Sequence, residues 1–222
     1  MKKYAVIVAA GSGTRMGSSI PKQFLLLQNK PVLWHTVTAF LKAFDDLEIK
    51  LVLPKEYFNQ GQSIIQSTRE STRFEIIEGG ETRFHSVKNG LHTIQEASII
   101  FVHDGVRCLV SQDLIRRCYD MALKTGNAIP AINSVDSLRM KINEEHEIVD
   151  RNKIKIIQTP QTFRSEILKK AFEQGYQNFF TDEASVVERI GIKINLIEGE
   201  EMNIKITRPF DILIAEKYLE NH

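Results

Sequence analysis

Residues 4–17 read Tyr4-Ala5-Val6-Ile7-Val8-Ala9-Ala10-Gly11-Ser12-Gly13-Thr14-Arg15-Met16-Gly17. The apolar run Tyr4–Ala9 shows no alternation, as expected of a parallel strand covered on both faces. It stops abruptly in a glycine-rich basic segment. Outward from there, helix and strand signals alternate. Pro31 opens a helix in which Leu33, Val37, Phe40, Leu41 and Phe44 recur at helical spacing, and Pro54 closes a strand at Ile49–Leu53. Phe74–Ile77 reads as a strand, and the Gly79-Gly80 turn leads to a helix with Val87, Leu91 and Ile94 on one face. Ile99–Val102 is a further buried strand. Ser111 caps a helix carrying Leu114, Ile115, Cys118 and Leu123, and Ala128–Ile132 returns to the sheet. This rhythm predicts an α/β, three-layer, mostly parallel Rossmann-like sheet, with ligands at the carboxyl ends of its strands.

The rhythm breaks between about Val135 and Ile157. Two β-like segments, Ser137–Ile142 and Ile148–Ile157, flank the polar tip Asn143-Glu144-Glu145-His146-Glu147. They predict a protruding β-arm over about 136–157, of the kind that serves dimerisation, on a single domain spanning 1–222. Helices near Ser165–Gln174 and Asp182–Ile190, a strand at Lys193–Ile197 and a last helix after Pro209 complete the chain. It ends soon after that helix, so no fused downstream enzyme is expected.

The chain has 222 residues, with 29 Lys and Arg against 28 Asp and Glu. A net charge of +1 draws it neither to nucleic acid nor to an anionic membrane, so a polyanionic ligand needs locally grouped cations. Cys108 and Cys118 form no metal-ligand pattern and no disulfide framework, which suits a cytoplasmic protein. Met1-Lys2-Lys3 and the following apolar run mimic a signal peptide, but charge follows where a cleavage site should be small and neutral. No stretch is long and apolar enough to span a bilayer.

Glycines in the Ala9–Gly17 segment let backbone N–H groups turn inward as an anion nest. A Walker A loop is excluded, because Gly17 is followed by Ser18 and Ser19 rather than by Lys and a hydroxyl residue. A dinucleotide fingerprint is disfavoured by Met16, which stands where a small residue is needed, and by the lack of an acid about twenty residues on. The guanidinium of Arg15 and the ammonium of Lys22 instead suit a triphosphate, with two cations around the phosphorus under attack. A tight turn with a solvated Arg and Lys remains the alternative.

The spacing Gly-x-Gly-x-Arg-Met-x4-Pro-Lys resembles the signature of nucleotidyltransferases that activate sugar-like phosphates. Five further blocks follow in order: Gly79–Arg83 with Ser86-Val87, Val102–Arg107, Gln158–Phe163, Thr181–Glu188 and Asn203–Thr207. Together they resemble the 2-C-methyl-D-erythritol 4-phosphate cytidylyltransferase family over nearly the whole chain. The resemblance implies transfer of CMP from CTP to 2-C-methyl-D-erythritol 4-phosphate with release of pyrophosphate, Mg²⁺ as cofactor, and a homodimer formed through the arm. It implies Arg15, Lys22 and Lys205 as catalytic residues. For CTP it implies Ala9, Ala10, Gly11, Gly13, Thr14, Arg15, Lys22, Gly80, Glu81, Ser86, Asp104 and Gly105. For the acceptor it implies Asp104, Arg107, Thr159, Thr181 and Lys205, with Ser137 and Arg151 reaching across the dimer.

Asp104, at the end of a buried strand, holds Mg²⁺ directly or through water, orients a substrate hydroxyl, or caps the next turn. Thr181 reads equally well as a helix N-cap. His103 reads as packed rather than basic, since the attacking phosphate is already an oxyanion; His35 and His85 carry no ligand spacing. Cys108 stands where the family has Pro, leaving a thiol near the site, Glu81 where Asp is common, and Ser137 where Thr is common. The alternatives are a ribitol 5-phosphate cytidylyltransferase and a non-catalytic nucleotide-binding module.

Overall fold

The computed structural model describes residues 1–11 and 20–221. Twelve strands and seven α-helices are found among them. In chain order they begin with β1 (Lys2–Val8), β2 (Leu26–Leu27), β3 (Lys30–Pro31), α1 (Val32–Ala43), β4 (Leu47–Leu53), α2 (Phe58–Thr68), β5 (Phe74–Glu78), α3 (Arg83–His92), β6 (Ser98–Asp104) and α4 (Gln112–Thr125). β7 (Asn127–Asn133), β8 (Leu138–Ile142), β9 (Glu145–Val149), β10 (Lys155–Ile157), β11 (Gln161–Arg164), α5 (Ser165–Ala171), α6 (Glu183–Arg189), β12 (Leu196–Glu198) and α7 (Pro209–Glu220) follow.

The main sheet runs β10-β7-β11-β6-β1-β4-β5, with β12 also paired to β7. β1 is parallel to both neighbours, β4 and β6. Its residues are buried on both faces, which is why no alternation shows in the sequence. Ala5, Ile7 and Ala9 pack with α1, α2 and α4 side chains such as Phe40, Ile64 and Leu114. Tyr4 and Val6 pack on the other face with Phe84 and Val87 of α3, Leu168 of α5 and Val187 of α6. The expected three-layer, mostly parallel α/β sheet is what forms. The chain leaves β1 toward β4 on one side and later returns to β6 on the other, so β1 and β6 flank the topological switch point.

Several parts of the fold differ from expectation. Helix α2 was not foreseen: its sequence is polar, and only Gly61, Ile64 and Ile65 bury. The Gln158–Phe163 block carries no strand signal in the sequence, yet β11 runs antiparallel between β6 and β7. The expected arm segment 148–157 divides, with β9 pairing β8 and β10 joining β7 in the main sheet. The arm tip is correspondingly tighter, because Ile142 pairs with Glu145 and Asn143 takes a positive φ of 55°. Leu123 faces outward from α4, and Ala122 takes the buried position.

Candidate active site

At the switch point each strand exit is stapled to its neighbour. Ala9 N–H donates to Val52 O at 2.9 Å, Gly79 N–H to Leu53 O at 2.8 Å, and Gly105 N–H to Val8 O at 2.8 Å. A Cβ on Gly79 would lie 2.6 Å from Ala10 Cβ, so only glycine lets these two exits approach so closely. Between them opens a cleft of about 500 Å³, whose wall includes Ala9, Ala10, Gly11, Lys22, Gly80, Glu81, Ser86, Asp104 and Lys205. Of the sequence-predicted nucleotide residues, Gly13, Thr14 and Arg15 lie outside the described residues, and Gly105 is buried beneath the wall.

The cations reach the cleft from distant parts of the chain. Lys22 opens a short 3-10 turn, Lys22–Phe24, and its Nζ donates to Ile206 O at 2.9 Å. That carbonyl belongs to the residue after Lys205, so the two lysines share one wall. The next side chain, Gln23, donates through Nε2 to Ala9 O at 2.8 Å and ties the turn to the end of β1. On the opposite side, Thr82 caps α3 and Ser86 Oγ accepts from Gly80 N–H at 3.0 Å, closing the glycine turn.

Asp104 is the single carboxylate at the centre of these charges and is 8% exposed. Lys205 Nζ stands 2.9 Å from its Oδ2, Arg83 Nη2 3.3 Å from its Oδ1, and Arg107 Nε 3.5 Å from its Oδ2. Burial alone would raise the carboxyl's pKa. Attraction to Arg83, Lys205 and Arg107 outweighs it and holds Asp104 ionised, well below the usual carboxylate range. Arg83 in turn grips the buried Glu183 at the start of α6, Nη2 to Oε2 at 3.1 Å and Nη1 to Oε1. Burial works against the Arg83 charge, but Glu183 and Asp104 keep it firmly protonated. Neither Arg83 nor Glu183 is foreseen as a site residue. Both lie inside quoted blocks, but only the fold reveals that the charges pair across 100 residues of sequence.

His103 is fully buried, and burial pushes its imidazole down to about 3, in keeping with a packed neutral ring. Arg107 donates to Asn203 O at 2.8 Å behind Asp104. Thr159 is buried under Asp104, off the cleft wall. Thr181 is exposed, and the N-cap of α6 is Asp182 instead, which accepts from Ser185 N–H in a capping box. Ser137 and Arg151 are exposed at the arm, away from the cleft, and Arg151 donates to Val135 O at 2.8 Å. Cys108 does not face the site: it packs among Leu27, Val106, Leu109 and Ile206, and burial pushes its thiol up to about 12.

Among the described residues no group of three or more His, Cys, Asp or Glu side chains could hold a metal ion. The cleft wall carries two carboxylates, Glu81 and Asp104, and Asp104 is already ringed by three cations. Such a set fits a divalent ion that arrives on phosphate oxygens and keeps its waters, not one caged by protein alone. No helix among the described residues is long and apolar enough to cross a membrane.

The family described as IspD, 2-C-methyl-D-erythritol 4-phosphate cytidylyltransferase, matches residues 4–221. A protein of that description from Bacteroides thetaiotaomicron is 47% identical over 219 residues, which covers 99% of this chain and 100% of the relative. Another from Porphyromonas gingivalis is 43% identical over 219 residues, with 98% of each chain covered. Among solved structures, 4-diphosphocytidyl-2C-methyl-D-erythritol synthase from Anaerococcus prevotii superposes with a TM-score of 0.84 at 26% identity, covering 99% of this chain and 98% of its own.

Proposed function

Because the chain belongs to the 2-C-methyl-D-erythritol 4-phosphate cytidylyltransferase family, we propose that the β1–β6 cleft carries out this family's reaction. The enzyme is a nucleotidyltransferase that moves CMP from CTP to 2-C-methyl-D-erythritol 4-phosphate and releases pyrophosphate. The observation that carries the site assignment is the meeting of Lys22 and Lys205 on one wall, joined by the Lys22–Ile206 bond.

Catalysis here is positioning and charge stabilisation. A phosphate oxygen of the acceptor attacks the α-phosphorus in line, the bond to the bridging oxygen breaks, and pyrophosphate leaves with the electron pair. Negative charge grows on the equatorial and bridging oxygens, where Lys22, Lys205 and Arg15 stabilise it. No general base is needed, since the nucleophile is already an oxyanion. Ala9, Ala10, Gly80 and Ser86 hold the cytosine, with Gly11, Gly13 and Thr14 on the triphosphate and Glu81 framing the nucleotide, while Gly105 backs the wall from beneath, close against Ala9. Asp104 fixes the Lys205 ammonium and orients the acceptor with Arg107 and Thr181. Asp104, directly or through water, would hold Mg²⁺ bound with the triphosphate, and the ion would supply positive charge against the pyrophosphate.

The acceptor side has a gap that supports a homodimer. Ser137 and Arg151 stand on the arm and do not line this chain's own cleft. A second copy, docked arm to body, would bring a cation to the incoming phosphate. The two free buried cysteines suit a cytoplasmic location.

The test is pyrophosphate release with CTP and Mg²⁺, run in parallel with 2-C-methyl-D-erythritol 4-phosphate and ribitol 5-phosphate. Faster turnover of the first is expected. Faster turnover of ribitol 5-phosphate would overturn the acceptor assignment, and tight CTP binding without pyrophosphate release would overturn catalysis.

A further inference from the structure

The turn that presents Asp104 is held on all sides. Arg107 N–H closes it on Asp104 O at 3.0 Å, Ile206 N–H reaches Val106 O at 2.9 Å, and Thr36 Oγ1 donates to Gly105 O at 3.0 Å. The remaining group, Asp104 N–H, has an unusual partner. The β6–β11 ladder ends at the Val102–Gln161 pair. Beyond that pair, Asp104 N–H donates to the side-chain oxygen of Thr159, at 3.2 Å, instead of to a strand carbonyl.

That hydroxyl is itself held. His103 Nε2 lies 3.1 Å from Arg107 O, a pure acceptor, so Nε2 carries the hydrogen and Nδ1 accepts from Thr159 Oγ1 at 2.9 Å. Asn203 Nδ2 fixes the Thr159 main chain through its carbonyl at 2.8 Å. Thr159 is 4% exposed and does not line the cleft. Its only O–H is committed to His103, leaving none to offer a ligand.

We infer that Thr159 is a positioning residue, whose hydroxyl, oriented by His103, fixes the Asp104 main chain and through it the Asp104–Lys205 pair. The inference rests on the function proposed above but differs from direct contact with the acceptor. A shift of Asp104 moves the Lys205 ammonium, which is 2.9 Å away, off the position where charge develops. Misplacement on the order of 1 Å costs up to about 100-fold in rate. Loss of an acceptor contact would instead appear as weaker acceptor binding.

The test compares Thr159→Val, which keeps the shape and removes the hydroxyl, with Thr159→Ser, which keeps the hydroxyl. Both are assayed with CTP, Mg²⁺ and 2-C-methyl-D-erythritol 4-phosphate. The unaltered protein, run alongside, decides the proposed reaction separately: its inactivity would defeat that reading and not this one. Thr159→Val should lower kcat by about 10- to 100-fold with the acceptor KM within about threefold, and Thr159→Ser should restore kcat to within about threefold. The inference is overturned if Thr159→Val leaves kcat unchanged, if it raises the acceptor KM more than about tenfold, or if Thr159→Ser fails to rescue. Should Thr159→Val not fold, Thr159→Ala is judged by the same criteria.

Discussion

Replacing Asp104 by Asn removes the one negative charge that Lys205, Arg83 and Arg107 share, at 2.9, 3.3 and 3.5 Å. Deleting one partner of a buried ion pair costs about 3–5 kcal/mol. Two features lower that figure here. Asn keeps an acceptor oxygen, and the Lys205 side chain is 39% exposed, so its ammonium regains water when released. The expected loss at pH 7 is therefore about 2–3 kcal/mol, the range of a charge-assisted bond. For a chain of this size, each kcal/mol shifts Tm by about 2–4 °C, giving a fall of about 4–12 °C. The pH dependence follows from the direction of the Asp104 shift. Its folded-state pKa lies below the unfolded value of about 3.9, so its contribution is complete above that value and is lost as pH falls below it. Urea unfolding of both proteins at pH 7 and near pH 3 checks this. The gap between them should be wide at pH 7 and narrower at pH 3. An Asp104→Asn variant as stable as the parent at pH 7, or a gap that does not narrow in acid, would refute the charge network as described.

Lys22→Ala should lower turnover by about two orders of magnitude, comparable to losing an oxyanion-hole donor, and near-normal turnover would remove Lys22 from the catalytic set. Arg151→Ala and Lys22→Ala, each poorly active alone, should recover activity when refolded together, because a mixed dimer holds one intact site; random pairing predicts about a quarter of the parental sites. Mixtures no better than their components would mean that the arm does not serve a partner's cleft. Cys108 and Cys118, both buried with thiols pushed up to about 12, should resist a thiol reagent at pH 8 in the folded enzyme and react fully in denaturant; fast reaction of the native protein would contradict their packing.

The sheet was legible because burial writes itself into contiguous residues. Tyr4–Ala9 and Ile99–Val102 are apolar without alternation since helices cover both faces of the strands they form. α2 was not, because its outer face and Gly61 dilute the helical stripe to Ile64 and Ile65. β11 carried no periodic signal, and its central place was decided by its partners β6 and β7. In the cleft, the glycines and Lys22 could be named from their spacing, and Lys205 only from the family resemblance. What each side chain touches could not, as with Thr181, whose expected cap is supplied by Asp182.

The chain's sequence by itself determined most of its central strands and helices, its glycine turns and, through ordered blocks, its family. Those are properties of short stretches, set by periodicity and local backbone freedom. Only the tertiary structure decided how charges from remote stretches offset one another. Glu183, Arg83, Asp104 and Lys205 form one chain of alternating sign, and Thr159 turns inward to hold Asp104. Coulomb attraction and hydrogen bonding act across a few ångströms of space whatever the separation in sequence. Such partners exist only once the strands that carry them are aligned.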